Sequence, residues 1–183
     1  MKIKPDPLHR NVTLEIESPE ETNLLAGQPP AFVQIKRILV PVDFSGCSKR
    51  AVQYAIAFAR QFNADVLLLH VVQLDYAAIE MSPLDITAVE RQIHESVRQR
   101  LTKFIEGLDV SHVSVEQRVL CGNVKKQILN EAQAYKPDLI IVGTHGETGL
   151  RHALLGSVAE SVVRHANCPA LTVREREHEI IDL

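Results

Sequence analysis

The sequence predicts an α/β protein with a parallel sheet covered by helices on both faces, and three observations support this. Short apolar runs alternate with segments whose apolar residues recur at helical spacing, in the order βαβ–α–βαβαβ. The run at residues 66–72 lacks polar alternation, as expected for a strand covered on both faces. The 183 residues are 45% hydrophobic, 23% charged and 4% aromatic, with no Trp, which favours one domain with short tails and an aliphatic core.

The first half of the domain contains two predicted strands and the helix between them. Residues 38–42 form a short apolar run that ends at Asp43. Ser45 or Ser48 is the expected N-cap of the following helix. The apolar stripe of that helix comprises Ala51, Tyr54, Ala55, Phe58, Ala59 and Phe62. The second strand is predicted at residues 66–72.

The second half begins with a linker around Ser82 and Pro83, followed by a long helix. Its stripe comprises Ile93, Val97, Leu101, Phe104, Ile105 and Leu108. A third strand is predicted from Val113 to Cys121, and Asn123 is the expected cap of the next helix. The remaining elements are a fourth strand at 139–142, a glycine-rich loop, a helix at 157–165 and a fifth strand at 169–173.

Charge and cysteine content exclude several classes of function. The net charge is −3, of which residues 1–36 carry −1 and residues 174–183 carry −2, so the domain between them is neutral and a poor electrostatic partner for nucleic acid. No apolar run reaches the roughly 18 residues of a membrane span, and residues 1–10 lack the apolar stretch of a secretory signal, so we expect a cytoplasmic protein without a membrane partner. The three widely spaced cysteines predict reduced, mostly buried thiols.

Residues 1–36 differ in composition from the domain that follows. They contain five of the nine prolines and a cluster of acidic residues. Val12, Leu14 and Ile16 alternate with polar residues, which is compatible with a strand or a docking segment. The segment is expected to be either a mobile extension or an arm packed on a partner chain. The predicted organisation is therefore an extension at 1–36, a domain at 37–174 and a charged tail at 175–183.

The loop after the fourth strand carries half of the eight glycines: Gly143, Gly146, Gly149 and Gly156. Glycine lets a backbone approach a ligand closely, and the amides of a helix N-terminus attract an anion. The helix that opens at Gly156-Ser157 could therefore hold a phosphate. The alternative is that these glycines only form a tight turn under a crossing helix. Neither a dinucleotide-binding G-x-G-x-x-G at the first βα turn nor a P-loop motif occurs.

Several segments resemble the universal stress protein family. The first strand ends in Pro-Val-Asp-Phe-Ser at residues 41–45, and the second reads Leu-Leu-Leu-His-Val at 67–71. The long loop matches the nucleotide signature of that family, G-x-x-G, nine residues, then G-[ST]. Asn-Cys-Pro-Ala-Leu-Thr-Val at 167–173 resembles the last strand of the family. The resemblance covers residues 37–174.

The resemblance implies a fold and a set of site residues. The fold is a three-layer α/β/α sandwich with a five-stranded parallel sheet of order 3-2-1-4-5, of the adenine nucleotide alpha hydrolase-like type. The cofactor is ATP, carrying Mg²⁺ or Mn²⁺ through its phosphates. Asp43 would contact the ribose or the metal-bound phosphates. The other implied residues flank the adenine (Val42, Val71, Val142), enclose the phosphates (Gly143, His145, Gly146, Gly156, Ser157, Val158) or adjoin these positions (Pro41, Ala159).

The sequence and the resemblance leave three functions open: a nucleotide-binding regulator, an interaction protein and an enzyme. The first is an ATP-binding stress-response regulator that works as a homodimer through the last strand, Pro-Ala-Leu-Thr-Val at 169–173. The second is an interaction protein that acts through its dimer surface and its N-terminal arm, with a purely structural glycine loop. A transferase or flavoprotein of the wider adenine-nucleotide group has the least support, since the catalytic signatures are missing. ATP hydrolysis is expected to be slow or absent, because the loop has no P-loop lysine and no evident base.

Overall fold

The computed structural model describes residues 2–5, 12–15, 33–74, 86–146 and 155–175, which fall into two units divided after Val33. The first unit contains strand β1 (Lys2–Pro5) and strand β2 (Val12–Glu15), which pair in antiparallel orientation. The alternating residues Val12 and Leu14 therefore belong to a strand, whereas Ile16 lies outside the described residues.

The second unit contains the predicted alternation of strands and helices. Its strands are β3 (Arg37–Pro41), β4 (Asp65–Val72), β5 (Val115–Cys121), β6 (Leu139–Gly143) and β7 (Ala170–Val173). Its described helices are α1 (Gly46–Phe62), α2 (Ile86–Ile105), α3 (Val124–Tyr135) and α4 (Ser157–His165).

The five strands form one parallel sheet in the order β5-β4-β3-β6-β7. Counted from β3, this is the expected order 3-2-1-4-5. Neighbouring residues of β3 point to opposite faces: Val40 packs with α1 and α2, whereas Leu39 packs with α3 and α4. Both side chains are fully buried. The three-layer α/β/α prediction is confirmed, and two aliphatic cores enclose the sheet.

Several element boundaries differ from the sequence prediction by one residue or more. Helix α2 begins at Ile86, a full two turns before the first residue of the predicted apolar stripe. Strand β5 begins at Val115, because the amide of Val113 donates to the carbonyl of Val110 within a turn. Strand β7 begins at Ala170, since Pro169 has no amide hydrogen, although its carbonyl still accepts from Ile140.

The sheet places the predicted strand-end residues along one edge. Asp43, Gly122 and Gly143 follow or close β3, β5 and β6 at their carboxyl ends. After β3 the chain continues to β4 on one side, and it returns to β6 on the other. Such a reversal leaves a crevice at the carboxyl edge of the sheet, where ligands bind in this class of fold.

Among the described residues, no helix is both long and apolar enough to cross a bilayer. The three cysteines are free thiols, with Cys47 buried and the other two half-buried. Burial raises the pKa of the Cys121 thiol, with the charge of Glu90 as a second cause. This thiol therefore stays protonated at neutral pH, and it is a poor nucleophile.

Candidate functional site

The carboxylate of Asp43 is held at the end of β3 by the residue that begins the next helix. Its Oδ1 accepts a hydrogen bond from the backbone amide of Ser45 at 3.1 Å and another from the Ser45 hydroxyl at 2.6 Å. Two donors on one oxygen fix the rotamer of this side chain. The other oxygen, Oδ2, is directed to the opposite side of the crevice.

Ser45 is also the N-cap of α1, which decides between the two predicted residues, Ser45 and Ser48. Its hydroxyl oxygen accepts from the amide of Ser48 at 3.1 Å, and the hydroxyl of Ser48 donates back to the carbonyl of Ser45 at 3.1 Å. The Ser45 hydroxyl also lies 3.4 Å from the carbonyl oxygen of His145. One side chain thus links the Asp43 carboxylate, the start of α1 and the loop after β6.

The loop after β6 comes directly against Asp43. A Cβ placed on Gly146 would lie 2.5 Å from Oδ2 of Asp43, closer than two such atoms approach in proteins. Any other residue at 146 would therefore displace the carboxylate or the loop. Gly146 is exposed, so this contact lies at the surface of the crevice.

The residues between Gly143 and Gly146 tie the loop to the sheet and to α4. Thr144 is 3% exposed, and its amide donates to the carbonyl of Val173 at the end of β7 at 2.8 Å. Its own carbonyl accepts from the amide of Gly156 at 2.6 Å. Nδ1 of His145 lies 3.0 Å from Oγ1 of Thr144. This half-buried imidazole is therefore anchored to the loop that carries it.

Helix α4 starts beside this loop, and a glycine occupies its N-cap. Gly156 has no side chain to accept a hydrogen bond from the first turn. The first intrahelical bond runs from the amide of Glu160 to the carbonyl of Gly156 at 2.9 Å. The helix therefore offers no acceptor to the amides of Ser157, Val158 and Ala159. These three amides, with the helix dipole behind them, form a place for an anion.

The side chains of these three residues differ in exposure. Ser157 is exposed, Val158 is half-buried, and Ala159 is buried in the core under α3 and α4. The hydroxyl of Ser157 can therefore reach a ligand, whereas Ala159 can offer only its amide. The single acid in the first turn, Glu160, pairs with Arg164 at 3.0 Å, and this pairing offsets its charge.

Gly143 and Gly156 also have packing roles. A Cβ on Gly143 would lie 2.8 Å from Cβ of Cys47 and 3.0 Å from its backbone carbon, so this glycine lets β6 pack against the start of α1. A Cβ on Gly156 would lie 3.0 Å from the carbonyl oxygen of Thr144. The φ of Gly156 is −68°, a value open to any residue. The requirement for glycine at 156 is therefore one of space and not of backbone conformation.

The expected adenine-flanking valines are buried, and they divide between the two faces of the sheet. Val42 belongs to the core beneath α1 and α2, whereas Val71 and Val142 belong to the opposite core. Val71, at 9%, has the largest exposed fraction of the three. Pro41 closes β3 beside Leu69 of β4. These residues lie in or next to the three adjacent strands β4, β3 and β6.

The described residues contain no group of three or more His, Cys, Asp or Glu side chains that could hold a metal ion. Asp43 therefore does not belong to such a group. Gly149 and Arg151, which also belong to the predicted loop, lie outside the described residues.

Two residues outside the predicted set are part of the site. Ser45 was predicted only as a helix cap, yet it holds the Asp43 carboxylate. Thr144 is outside the predicted site residues, yet its backbone joins β6, β7 and the start of α4. The motif Pro-Val-Asp-Phe-Ser already contained the signal for Ser45, because a serine two residues after an aspartate is well placed to donate to it.

The fold and these loops define a doubly wound α/β protein with a glycine-lined crevice at the carboxyl edge of its sheet. The model of the universal stress protein family matches residues 34–174. The chain therefore belongs to the universal stress protein family, and the resemblance seen in the sequence is confirmed. It is 33% identical over 144 residues to the universal stress protein MJ0531 of Methanocaldococcus jannaschii, which covers 79% of this chain and 85% of that protein.

Solved structures of universal stress proteins also match this chain. The structure of MJ0577, a universal stress protein of the same archaeon, matches with a TM-score of 0.67 and 30% identity, over 80% of this chain and 100% of that one. A universal stress protein solved in complex with cAMP matches with a TM-score of 0.52 and 23% identity, over 79% of this chain and 100% of that one. At this identity, the second match establishes the shared fold alone.

Proposed function

We propose that this protein binds ATP at the carboxyl edge of its sheet and acts as a nucleotide-responsive regulator within the universal stress protein family. The observation that carries the proposal is the meeting of the Asp43 carboxylate, the exposed Gly146 and the glycine-capped start of α4 in one crevice. Amides that lack an acceptor within the helix suit the phosphates, and a fixed carboxylate suits the ribose or a metal ion.

The phosphates would lie over the start of α4. The amides of Ser157, Val158 and Ala159 would donate to phosphate oxygens, and the exposed Ser157 hydroxyl would add a further donor. Gly146 would allow the loop after β6 to approach the same group. His145 directly precedes Gly146, with its ring held by Thr144, and can donate from its other ring nitrogen.

Asp43 would serve the ribose or a divalent cation. Mg²⁺ prefers oxygen ligands and usually combines one or two carboxylates with substrate phosphates and water. The described residues contain no larger group of potential ligands, which fits a cation that arrives with the nucleotide. The solved cAMP complex shows that a protein of this fold takes an adenine nucleotide, which supports the ligand class proposed here.

A charge placed at the start of α4 tests the proposal. Ser157→Asp puts a carboxylate at the first position of the helix, where the helix dipole favours it by about 0.3–1 kcal/mol. Folding should therefore be unaffected or improved. A bound triphosphate would instead meet a like charge, and we expect at least tenfold weaker ATP binding by calorimetry, or about 1.4 kcal/mol.

The matched control is Gln133→Glu, which adds the same charge at an exposed position of α3. It should leave ATP affinity unchanged. Equal affinities for Ser157→Asp and the wild-type protein would contradict phosphate binding at α4. Release of nucleotide from heat-denatured protein, identified by chromatography, provides an independent measurement.

Gly156→Val is a less clean test than Ser157→Asp. The carbonyl of Thr144 lies against the position of the new Cβ. Lost affinity could then follow from a shifted loop and not from a blocked phosphate. We still expect well over a tenfold loss, and a folded Gly156→Val protein with unchanged ATP affinity would contradict the proposal.

The second candidate is an interaction protein that binds no nucleotide. It is favoured by the packing of Gly143 on Cys47 and of Gly156 on Thr144, which explains two of the loop glycines without a ligand. It predicts no nucleotide in the purified protein and no ATP binding in solution. Those results would select it over the first proposal.

We propose a homodimer as the assembled form, with contact through β7. The two edges of the sheet differ in charge. Strand β5 carries Glu116 and Arg118, which form an ion pair at 2.5 Å, and such charges protect an edge from pairing. Strand β7 has no charged residue, and exposed Val163 lies on the preceding helix. Two copies of an uncharged edge can pair around a two-fold axis.

Light scattering tests the assembly. We expect about twice the chain mass of 20.4 kDa at micromolar concentration. Thr172→Lys, which places a charge on β7, should shift the population to monomer. Gln117→Lys, which places the same charge on β5, should leave the dimer intact. A wild-type monomer at this concentration would contradict the dimer.

The N-terminal extension is proposed to be dispensable for nucleotide binding, since it precedes the first strand of the domain and contains none of the sequence motifs assigned to the site. A chain that begins near Lys36 should fold and keep its ATP affinity. Loss of ATP binding with a native circular dichroism spectrum would show that residues 1–36 complete the site.

Turnover is proposed to be slow. Amides that hold phosphates in the ground state do not by themselves stabilise a transition state. Asp43 is expected to contact metal or ribose, and not to activate water. We expect hydrolysis far below the ~1–100 s⁻¹ of kinases. Metal-dependent hydrolysis above about 1 s⁻¹, abolished in folded Asp43→Asn, would identify an ATPase instead.

A further inference from the structure

Phe44, between Asp43 and Ser45, adopts a backbone conformation that is rare for its type. Its φ is +68°, in the left-handed region. Asn63 and Lys136 also have positive φ, but both are C-caps, where this conformation is common. Phe44 instead precedes a helix. A bulky side chain at positive φ is a genuine outlier, and it persists only where the surroundings hold it.

The ring of Phe44 is enclosed by three side chains from two elements. Its centroid lies 4.7 Å from that of His70 on β4, and 5.4 Å from that of Phe104 on α2 in an edge-to-face arrangement. The guanidinium carbon of Arg100, also on α2, lies 3.9 Å from the ring centroid. Aromatic and cation–π contacts of this kind are attractive beyond the area they bury.

His70 fixes the other side of the same turn. Its Nδ1 lies 2.7 Å from the carbonyl oxygen of Val42, the residue before Asp43. The imidazole therefore contacts the chain on both sides of Asp43: the backbone before it, and the ring after it. Strand β4 and helix α2 together determine the path of the chain through residues 42–44.

This path determines where the carboxylate of Asp43 points. With Phe44 left-handed, the chain turns sharply enough for the amide and hydroxyl of Ser45 to reach Oδ1. Oδ2 then faces Gly146 across the crevice. An extended Phe44 would carry Ser45 away from Asp43 and release the carboxylate.

We propose that Phe44 is a positioning residue: its ring, held by β4 and α2, keeps the left-handed turn that fixes the Asp43 carboxylate at the crevice. Phe44 needs no contact with a ligand for this role. The effect of Phe44 on ATP binding rests on the proposed function, whereas its effect on the turn at residues 42–44 does not.

The first experiment needs no ligand. The amide of Ser45 is protected from hydrogen exchange by its bond to Asp43, and NMR can follow it. Phe44→Ala should accelerate its exchange by at least about tenfold relative to the wild-type protein. Phe58→Ala, which removes a ring from the same core on α1, is the matched control. Its Ser45 exchange should follow only the change in global stability. Phe44→Leu serves if Phe44→Ala does not fold.

The second experiment is a double-mutant cycle with Asp43→Asn and ATP as the probe. Phe44→Ala should weaken ATP binding about tenfold in the wild-type background, or about 1.4 kcal/mol. In the Asp43→Asn background it should weaken binding by less than about twofold, because a residue that acts through Asp43 is not additive with it. A residue that only supports the fold would show the same loss in both backgrounds.

The two experiments test the positioning role of Phe44 and the proposed nucleotide site separately. Accelerated Ser45 exchange in Phe44→Ala without ATP binding by the wild-type protein would support the positioning role and overturn the nucleotide site. Unchanged Ser45 exchange in a folded Phe44→Ala or Phe44→Leu protein would overturn the positioning role. Additive losses in the cycle would overturn it as well.

Discussion

The starts of α1 and α4 lie at the same edge of the sheet. They differ in whether a side chain accepts hydrogen bonds from the amides of the first turn. At α1, Ser45 caps the helix and binds Asp43, so the protein supplies acceptors from its own side chains. At α4 the N-cap is Gly156, which supplies none. Helix α3 resembles α1, with the side chain of Asn123 accepting from Lys126 at 3.1 Å.

The contrast between Ser45 and Gly156 indicates which helix start can offer its amides to a ligand. A capped helix start uses its hydrogen bonds for stability, and mutation there should cost stability in every condition. A helix start with a glycine N-cap leaves the same amides to water or to a ligand, and mutation at a helix start that binds a ligand should cost affinity. Substitutions at each helix start can therefore distinguish a loss of stability from a loss of affinity.

The largest expected effect is that of Gly143→Val. The glycine belongs to the nucleotide signature, but it lies against Cys47 at the start of α1. Overpacking against that backbone should cost about 3 kcal/mol of the free energy of unfolding, measured by urea denaturation. Gly143→Ala should cost less. An unchanged unfolding midpoint in Gly143→Val would show that this glycine is not needed for packing and that its role is limited to ligand binding.

The pair Ser45→Ala and Ser157→Ala compares the two helix starts with the same chemical change. Ser45→Ala removes the cap and the bonds to Asp43, and should cost about 1–2 kcal/mol of unfolding free energy. Ser157→Ala should leave that free energy within about 0.5 kcal/mol and weaken ATP binding. Thermal denaturation and calorimetry measure the two quantities. Equal losses of stability would contradict the comparison.

The smallest effect is expected at the start of α3. Asn123→Ala removes the cap and should cost about 1 kcal/mol of unfolding free energy without changing ATP affinity. Asn123→Asp keeps an acceptor for Lys126 and should restore the stability. Weaker ATP binding in Asn123→Ala would instead place this residue at the ribose, and α3 would then resemble α4.

The sequence predicted the fold more completely than it predicted the neighbours of the loop glycines. The spacing of Gly143, Gly146 and Gly156 indicated one phosphate loop. The structure gives each glycine a different neighbour: Cys47, Asp43 and the carbonyl of Thr144. Asp43 and Cys47 lie around the start of α1, far from the loop in the chain, and Thr144 lies near the opposite end of the loop from Gly156. The spacing of the glycines could not reveal these neighbours.

Local patterns determined the elements of this protein. The apolar run of β4, the stripe of α1, and the caps Ser45 and Asn123 depend on residues close in sequence, and the structure has them as predicted. The uncharged edge at β7 and the charged edge at β5 could also be read from composition once the strand order was known.

Only the tertiary structure decided how the crevice is built. The left-handed turn at Phe44 depends on His70 and Arg100, which reach it from β4 and α2. The approach of Gly146 to Asp43 depends on β3 and β6 lying side by side. The physical reason is that propensity and capping act over a few residues, whereas the packing of strands 100 residues apart decides which side chains meet.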